Sequence, residues 1–131
     1  MDYPEHYESD VLFFFDGRPD ALALYRVLAA GLARIAPEGR VKVQKSQISF
    51  YDGGLFAMAS LPKRKGDPGL VVSFGLGRRE PSPRIGAAVE PYPGRWTHHA
   101  ALTREADLDG ELLGWLEEAR GFCRAKGRGK A

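Results

Sequence analysis

The chain has 131 residues, of which 44% are hydrophobic and 27% charged, a composition typical of one globular domain. Its single cysteine, Cys123, excludes an intrachain disulfide and favours a reducing, cytoplasmic setting. The net charge of +2 conceals a strong segregation, because residues 1–39 and 105–119 are acidic whereas 40–104 and 120–131 are basic. A basic middle between acidic flanks favours an anionic partner over a cationic one.

A short apolar run, Val11 to Phe15, precedes the first long amphipathic segment. The run is too short to span a bilayer, and acids rather than the bases of a signal peptide precede it. We therefore expect neither a membrane segment nor a membrane partner. We interpret the run as a core anchor or a short helical turn.

Two long helices are predicted, one on each side of the basic middle. Pro19 suits the first turn of a helix over 19–36, and the second helix covers 108–123. Each helix has one apolar face, so we expect both to cover the same face of a sheet. Their apolar faces are Leu24, Leu28 and Leu32 in the first helix and Leu112, Trp115 and Leu116 in the second.

The segment between the helices alternates apolar and polar residues as β-strands do. Asp52-Gly53-Gly54 is a strong hairpin turn, and a change of alternation near Lys45 to Gln47 predicts a bend. Ser82-Pro83 is typical of a helix cap followed by a first-turn proline, which predicts a short helix through Val89. The predicted class is α+β: a mostly antiparallel sheet of about five strands, two long helices on one face, and a short helix before the last strand.

We expect one domain over residues 1–123 and a basic, flexible tail over 124–131. The tail has no apolar residue other than alanine and glycine spacers, so it has nothing to bury. Its positive charge could add weak, salt-sensitive binding to a polyanion such as nucleic acid.

No set of residues in the chain forms a recognisable catalytic motif. His98 and His99 are adjacent, so on a strand they point to opposite faces and cannot share one metal ion. A structural histidine is the ordinary interpretation, although the near-neutral pKa of histidine would suit proton transfer. The chain has neither a Gly-x-Ser-x-Gly elbow nor the ligand spacing of a zinc site. We therefore expect no catalytic residue, no metal and no cofactor.

The basic segment contains the main candidates for binding. Arg84 falls in the first turn of the predicted short helix, where free N–H groups suit a phosphate or carboxylate. Arg95 and the two histidines follow in the last strand. We expect Arg84, Arg95 and at least one of His98 and His99 to converge on one concave, electropositive surface. The alternative is an ordinary solvated surface with extended arginine side chains.

Four segments, Val41–Phe50, Ser82–Ile85, Glu90–His99 and Leu112–Leu116, occur in an order that resembles a bacterial family classed as a domain of unknown function. The resemblance covers roughly residues 10–124. Related domains form C-terminal modules of larger proteins loosely labelled as predicted transport proteins. The resemblance implies no activity, cofactor or catalytic residue. Together with the basic segment, it marks the ligand-binding candidates as Lys45, Gln47, Arg84, Tyr92, Arg95, Thr97, His98 and His99.

We predict a non-catalytic binding module for an anionic small molecule or a phosphate-bearing partner. One alternative is a domain for protein interaction or self-association through the exposed strand face. Another is a small enzyme that uses His98 or His99. The sequence indicates no oligomeric state.

Overall fold

An antiparallel six-stranded sheet with three helices forms the fold in the computed structural model, which describes residues 1–129 and side chains through Lys126. The strand order is β1-β2-β3-β4-β6-β5. No helix within the described residues is both long and apolar enough to cross a membrane. In chain order the elements are α1 (Tyr7–Phe14), α2 (Pro19–Ile35), β1 (Arg40–Val43), β2 (Ile48–Tyr51), β3 (Leu55–Ser60), β4 (Leu70–Leu76), β5 (Ile85–Tyr92), β6 (Arg95–Leu102), a 3-10 turn (Glu105–Asp107) and α3 (Gly110–Gly129).

Helices α2 and α3 pack on the same face of the sheet, as their single apolar faces predict. All six residues named for those faces are at most 6% exposed. They lie against the alternate residues of the strands that point toward the helices, which include Phe50, Val72 and Phe74. The α+β class and the shared packing face are therefore confirmed.

The predicted short helix before the last strand is wrong, because residues 85–92 form the edge strand β5. The N–H of Ile85 donates to the carbonyl of Ser82, so Ser82-Pro83 makes only one turn before the chain extends. Ile85, Ala88, Val89 and Tyr92 do fall at helical spacing, but Gly86 weakens a helix and Pro91 would end it. Pairing with β6 therefore determines its conformation, and the sheet has six strands rather than five.

The apolar run near the N-terminus and the last helix both contribute residues to the core. Val11 and Phe15 are buried, which confirms the apolar run as an anchor, although Phe13 is 84% exposed. Helix α3 continues as far as Gly129 and so includes the first part of the predicted tail. Lys130 and Ala131 lie outside the described residues, and the flexibility of the tail stays a prediction.

The two edges of the sheet are protected in different ways. At β1, Asp2 forms a parallel bridge with Arg40, and the N–H of Val41 donates to the carbonyl of Asp2. At the other edge, the β5–β6 ladder has two irregularities, and Pro91 lacks the N–H that an added strand would need. Such features oppose the pairing of further strands on either edge.

Candidate functional site

The face of the sheet opposite the helices, here called the open face, has a row of side chains at its centre. Cross-strand pairing places these residues next to one another from β2 to β5, so they meet although they are far apart in the sequence. The row mixes hydroxyl, thioether and imidazole groups, which is unusual for a merely solvated face. In spatial order it consists of Ser49, Met58, Ser73, His99 and Ala87.

A groove of about 590 Å³ lies over this row and is called the open-face groove. Apolar side chains form much of its surface, and polar groups contribute from the walls and the rim. No carboxylate is present among the lining side chains, all of which belong to the described residues. The lining residues are Ser46, Gln47, Met58, Ser60, Leu61, Lys63, Val71, Ser73, Ala87 and His99.

Ser73 and His99 are paired directly across β4 and β6, and the Ser73 Oγ lies 2.7 Å from the His99 Nδ1. Ser73 is 4% exposed, and this is its only side-chain bond among the described residues. If the ring donated, the buried hydroxyl hydrogen would lack an acceptor, which is costly. We therefore assign the serine as donor, which leaves the Nε2–H of His99 as a donor toward the groove.

The environment keeps His99 neutral. Burial lowers the pKa of its imidazole, and the positive charge of Lys63 lowers it further. Lys63 itself lies at the rim, in the β3–β4 connection. The groove thus combines one cation and one neutral N–H donor, both of which favour a negatively charged or acceptor-rich group.

Gln47 is fixed at one side of the groove by a small polar cluster. Its Nε2 donates to the Ser49 Oγ at 2.9 Å, and that hydroxyl donates to the Gln44 Oε1 at 2.6 Å. Ser49 is fully buried, so these bonds satisfy a hydroxyl that would otherwise destabilise the sheet. The predicted candidates Gln47 and His99 are therefore brought to the same groove.

His98 lies on the helix-facing side of β6 and has a structural environment. Its ring is fully buried and stacks on Phe74, with centroids 5.3 Å apart. The Nε2 accepts the backbone N–H of Glu80 at 2.9 Å, which attaches the loop after β4 to the sheet. Burial lowers the pKa of His98, so the ring is a neutral acceptor at this position.

Arg84 is held by acids at the beginning of α3. One guanidinium nitrogen lies 2.7 Å from Asp109 Oδ1 and 3.0 Å from Glu111 Oε1. Another donates to the carbonyl of Asp107 at 2.7 Å. The positive charge of Arg84 is thus balanced within the protein.

Arg95 lies near the other end of α3. Its Nη2 is 3.4 Å from the carbonyl oxygen of Leu55, and the thiol of Cys123 in α3 donates to the same oxygen. Asp109, just before α3, and Cys123 are 14 positions apart, which corresponds to about 20 Å along the helix axis. The predicted convergence of Arg84, Arg95 and a histidine is therefore wrong. The short helix that would have oriented Arg84 does not form.

The remaining candidates lie at three different places. Thr97 is on the open face of β6, where it pairs with Gly75 of β4. Tyr92 is 45% exposed at the end of β5 and belongs with Arg95. Lys45 is exposed in the β1–β2 turn, beside a shallow depression against α1. None of these three lines the open-face groove.

Sequence reasoning missed Ser73, Lys63 and Met58 as members of the site. Lys63 belongs to a basic turn, Lys63-Arg64-Lys65, in which charge is ordinary. Ser73 becomes informative only once the register pairs it with His99. The alternation of β4 does place Ser73 opposite to the core-facing residues, and that was the available indication.

Comparison with known proteins supports the family resemblance. No curated protein and no solved structure matches the chain. Across the described residues, no three His, Cys, Asp or Glu side chains form a group that could hold a metal ion. A family model described as a domain of unknown function, DUF5655, matches residues 13–122. Because that match covers most of the sequence, the chain belongs to the DUF5655 family.

Proposed function

We propose that this domain binds a small organic anion in the open-face groove and does not convert it chemically. The observation that carries the proposal is that Lys63 and the imidazole of His99 line a largely apolar groove without a carboxylate; the tautomer assigned above makes the Nε2–H of His99 a donor. The cation and the N–H donor would hold the charged end of the ligand, and the apolar surface would hold its body.

The size and the lining of the groove indicate the class of ligand. A volume of about 590 Å³ lies within the range of small-molecule sites. Met58, Leu61 and Val71 favour an apolar body, whereas Ser46 and Ser60 can donate further hydrogen bonds. A carboxylic acid with a short aliphatic chain or one ring meets both requirements.

The burial of the Ser73 hydroxyl favours binding without catalysis. Although Ser73 lines the groove, it is only 4% exposed and is assigned above as the donor to His99, so it orients the imidazole and offers little surface for attack on a ligand. An activated serine nucleophile requires access to the substrate as well as a base. We assign Ser73 a positioning role, since it determines which ring nitrogen carries the proton.

The test is a calorimetric titration with benzoate, with hexanoate, and with benzamide as an uncharged analogue of benzoate. We expect both acids to bind and benzamide to bind at least about ten-fold more weakly, since a charged hydrogen bond contributes about 1.5–3 kcal/mol. Lys63→Gln should weaken benzoate binding by a similar factor. Lys65→Gln is the matched control, because it removes the same charge from the same turn outside the groove.

Two results would overturn the proposal. One is the absence of saturable binding by either acid. The other is equal affinity of the Lys63→Gln and Lys65→Gln variants for benzoate, which would show that overall charge rather than the groove attracts the ligand. Self-association of the protein without ligand binding would instead favour the protein-interaction alternative.

A further inference from the structure

A second cavity, of about 420 Å³, lies at the other end of β3 and is called the Arg95 cavity. We propose that it binds a phosphate group through the side chains of Arg95 and Lys126. Leu55 of this cavity and Met58 of the open-face groove are three residues apart on β3, so the two sites lie about 10 Å apart along the strand. The cavity is lined by Gly53, Gly54, Leu55, Tyr92, Arg95, Cys123 and Lys126.

The guanidinium of Arg95 lies against the backbone of β4 at Gly75. A Cβ atom at Gly75 would lie 2.7 Å from the Arg95 Cζ, so a larger residue there would displace the guanidinium from this position. Glycine inside a strand weakens it, and it commonly marks a close approach of another group. The space beside Gly75, where other residues would have a side chain, is thus filled by the half-buried guanidinium of Arg95.

Lys126 reaches the same cavity from α3. Its Nζ lies 4.3 Å from the centroid of the Tyr92 ring and 3.3 Å from the Tyr92 hydroxyl. A second ring, that of Phe122, is 5.4 Å away. Aromatic rings therefore position this ammonium group, and its hydrogen bond to the hydroxyl lowers the pKa of Tyr92.

Neither cation has a carboxylate partner among the side chains described through Lys126. The nearby Asp52 is occupied, since its two oxygens accept from Arg120 at 2.7 Å and from Arg124 at 2.9 Å. Arg84 and Arg78 are likewise paired with acids. Among the arginines whose side chains are described, a half-buried one without a counter-charge is the exception, and an anion in the cavity would supply that charge.

The hydrogen-bonding groups of the cavity that remain available to a ligand are mainly donors. The Leu55 carbonyl already accepts from Arg95 and from the Cys123 thiol, and the Tyr92 hydroxyl accepts from Lys126. The planar guanidinium and the ammonium can together approach three oxygens of a tetrahedral anion, whereas a carboxylate offers only two. A phosphate dianion matches two fixed positive charges better than a monoanion does.

The experiment titrates the protein with inorganic phosphate and with phenyl phosphate at constant ionic strength, by calorimetry and by amide chemical shifts. We expect saturable binding that moves the Gly53 and Gly54 signals, with affinity about ten-fold lower in Arg95→Gln and in Lys126→Gln. Arg79→Gln is the matched control, since it removes the same charge outside this cavity. Arg79 lies over the ring of Trp96, as Lys126 lies over the ring of Tyr92. Gly75→Ala, checked for folding by its melting temperature, should weaken binding by displacing Arg95.

The two ligands distinguish the sources of the phosphate. Binding of both indicates a site open to phosphate monoesters, and binding of inorganic phosphate alone indicates a site for the free ion. The proposal is overturned if neither ligand binds saturably or if Arg95→Gln and Arg79→Gln bind equally. It is also overturned if Lys63→Gln, rather than Arg95→Gln, abolishes the binding, because the phosphate would then occupy the open-face groove.

Discussion

Replacing Trp115 with alanine removes an indole that α3 packs against the sheet. The residue is 6% exposed, and its ring stacks on Phe74 with centroids 5.8 Å apart. Its Nε1 also donates to the carboxylate of Glu80 at 3.1 Å. Truncation of a buried tryptophan costs about 3–5 kcal/mol, which includes the cavity left behind. The hydrogen bond to a carboxylate contributes about 1.5–3 kcal/mol of this, and the packing contributes the rest.

The expected loss is a large part of the total stability, which is about 5–15 kcal/mol for a small domain. The melting temperature of Trp115→Ala should therefore fall by about 10–20 °C. The free energy of unfolding is best measured by urea denaturation followed by circular dichroism, because the substitution removes one of the two fluorescent indoles. Trp96→Ala is the control and should cost less, since Trp96 is only half-buried.

A loss of less than about 1 kcal/mol in Trp115→Ala would refute the reasoning, since it is below the range for a buried aromatic side chain. An equal loss in Trp96→Ala would refute it as well. Trp115→Phe separates the two contributions, because it retains most of the packing and removes only the N–H donor.

Two further predictions concern charged groups. Asp52→Asn should lower the free energy of unfolding in urea by about 1–3 kcal/mol, because Arg120 and Arg124 lose the charge that joins α3 to the β2–β3 turn; unchanged stability would contradict this. Arg18 and the N–H of Gly69 hold the pKa of Asp20 well below its usual range, so the stabilisation by this carboxylate is present above about pH 4 and is lost as the pH falls. Thermal melts at several pH values should show Asp20→Asn to be less stable near neutrality and similar to wild type in acid; a constant difference would contradict the assignment.

The two long helices and most strands could be predicted because their sequence periods match the face that each buries. Leu24, Leu28 and Leu32 leave one interpretation for α2, and Asp52-Gly53-Gly54 leaves one for the β2–β3 turn. β5 could not be predicted in this way, since Ile85, Ala88 and Val89 fall at the spacing of a helix. Its conformation comes from hydrogen bonds to β6, and Ser82-Pro83 fits either a helix start or a single turn.

The candidate sites depended on distances that a linear sequence does not contain. The basic excess of the middle segment suggested an anion surface around Arg84. In the fold, Arg84 and Arg78 instead pair with acids of the α3 region, so much of the segregated charge is neutralised where the elements meet. Gln47, His99 and Arg95 were named from the sequence, but their division between two cavities follows from strand register.

The position of β6 between β4 and β5 affects how the molecule can open. β5 is bonded on one side only, through a ladder with two irregularities, whereas β6 is paired with β4 over its whole length. β5 can therefore separate while the sheet from β1 to β6 stays intact, and its amide hydrogens should exchange with solvent earlier than those of β4. Ala87 in the open-face groove and Tyr92 in the Arg95 cavity both belong to β5. Separation of β5 would thus open both cavities at once. A ligand bound in either cavity should slow the exchange of amide hydrogens along the whole of β5.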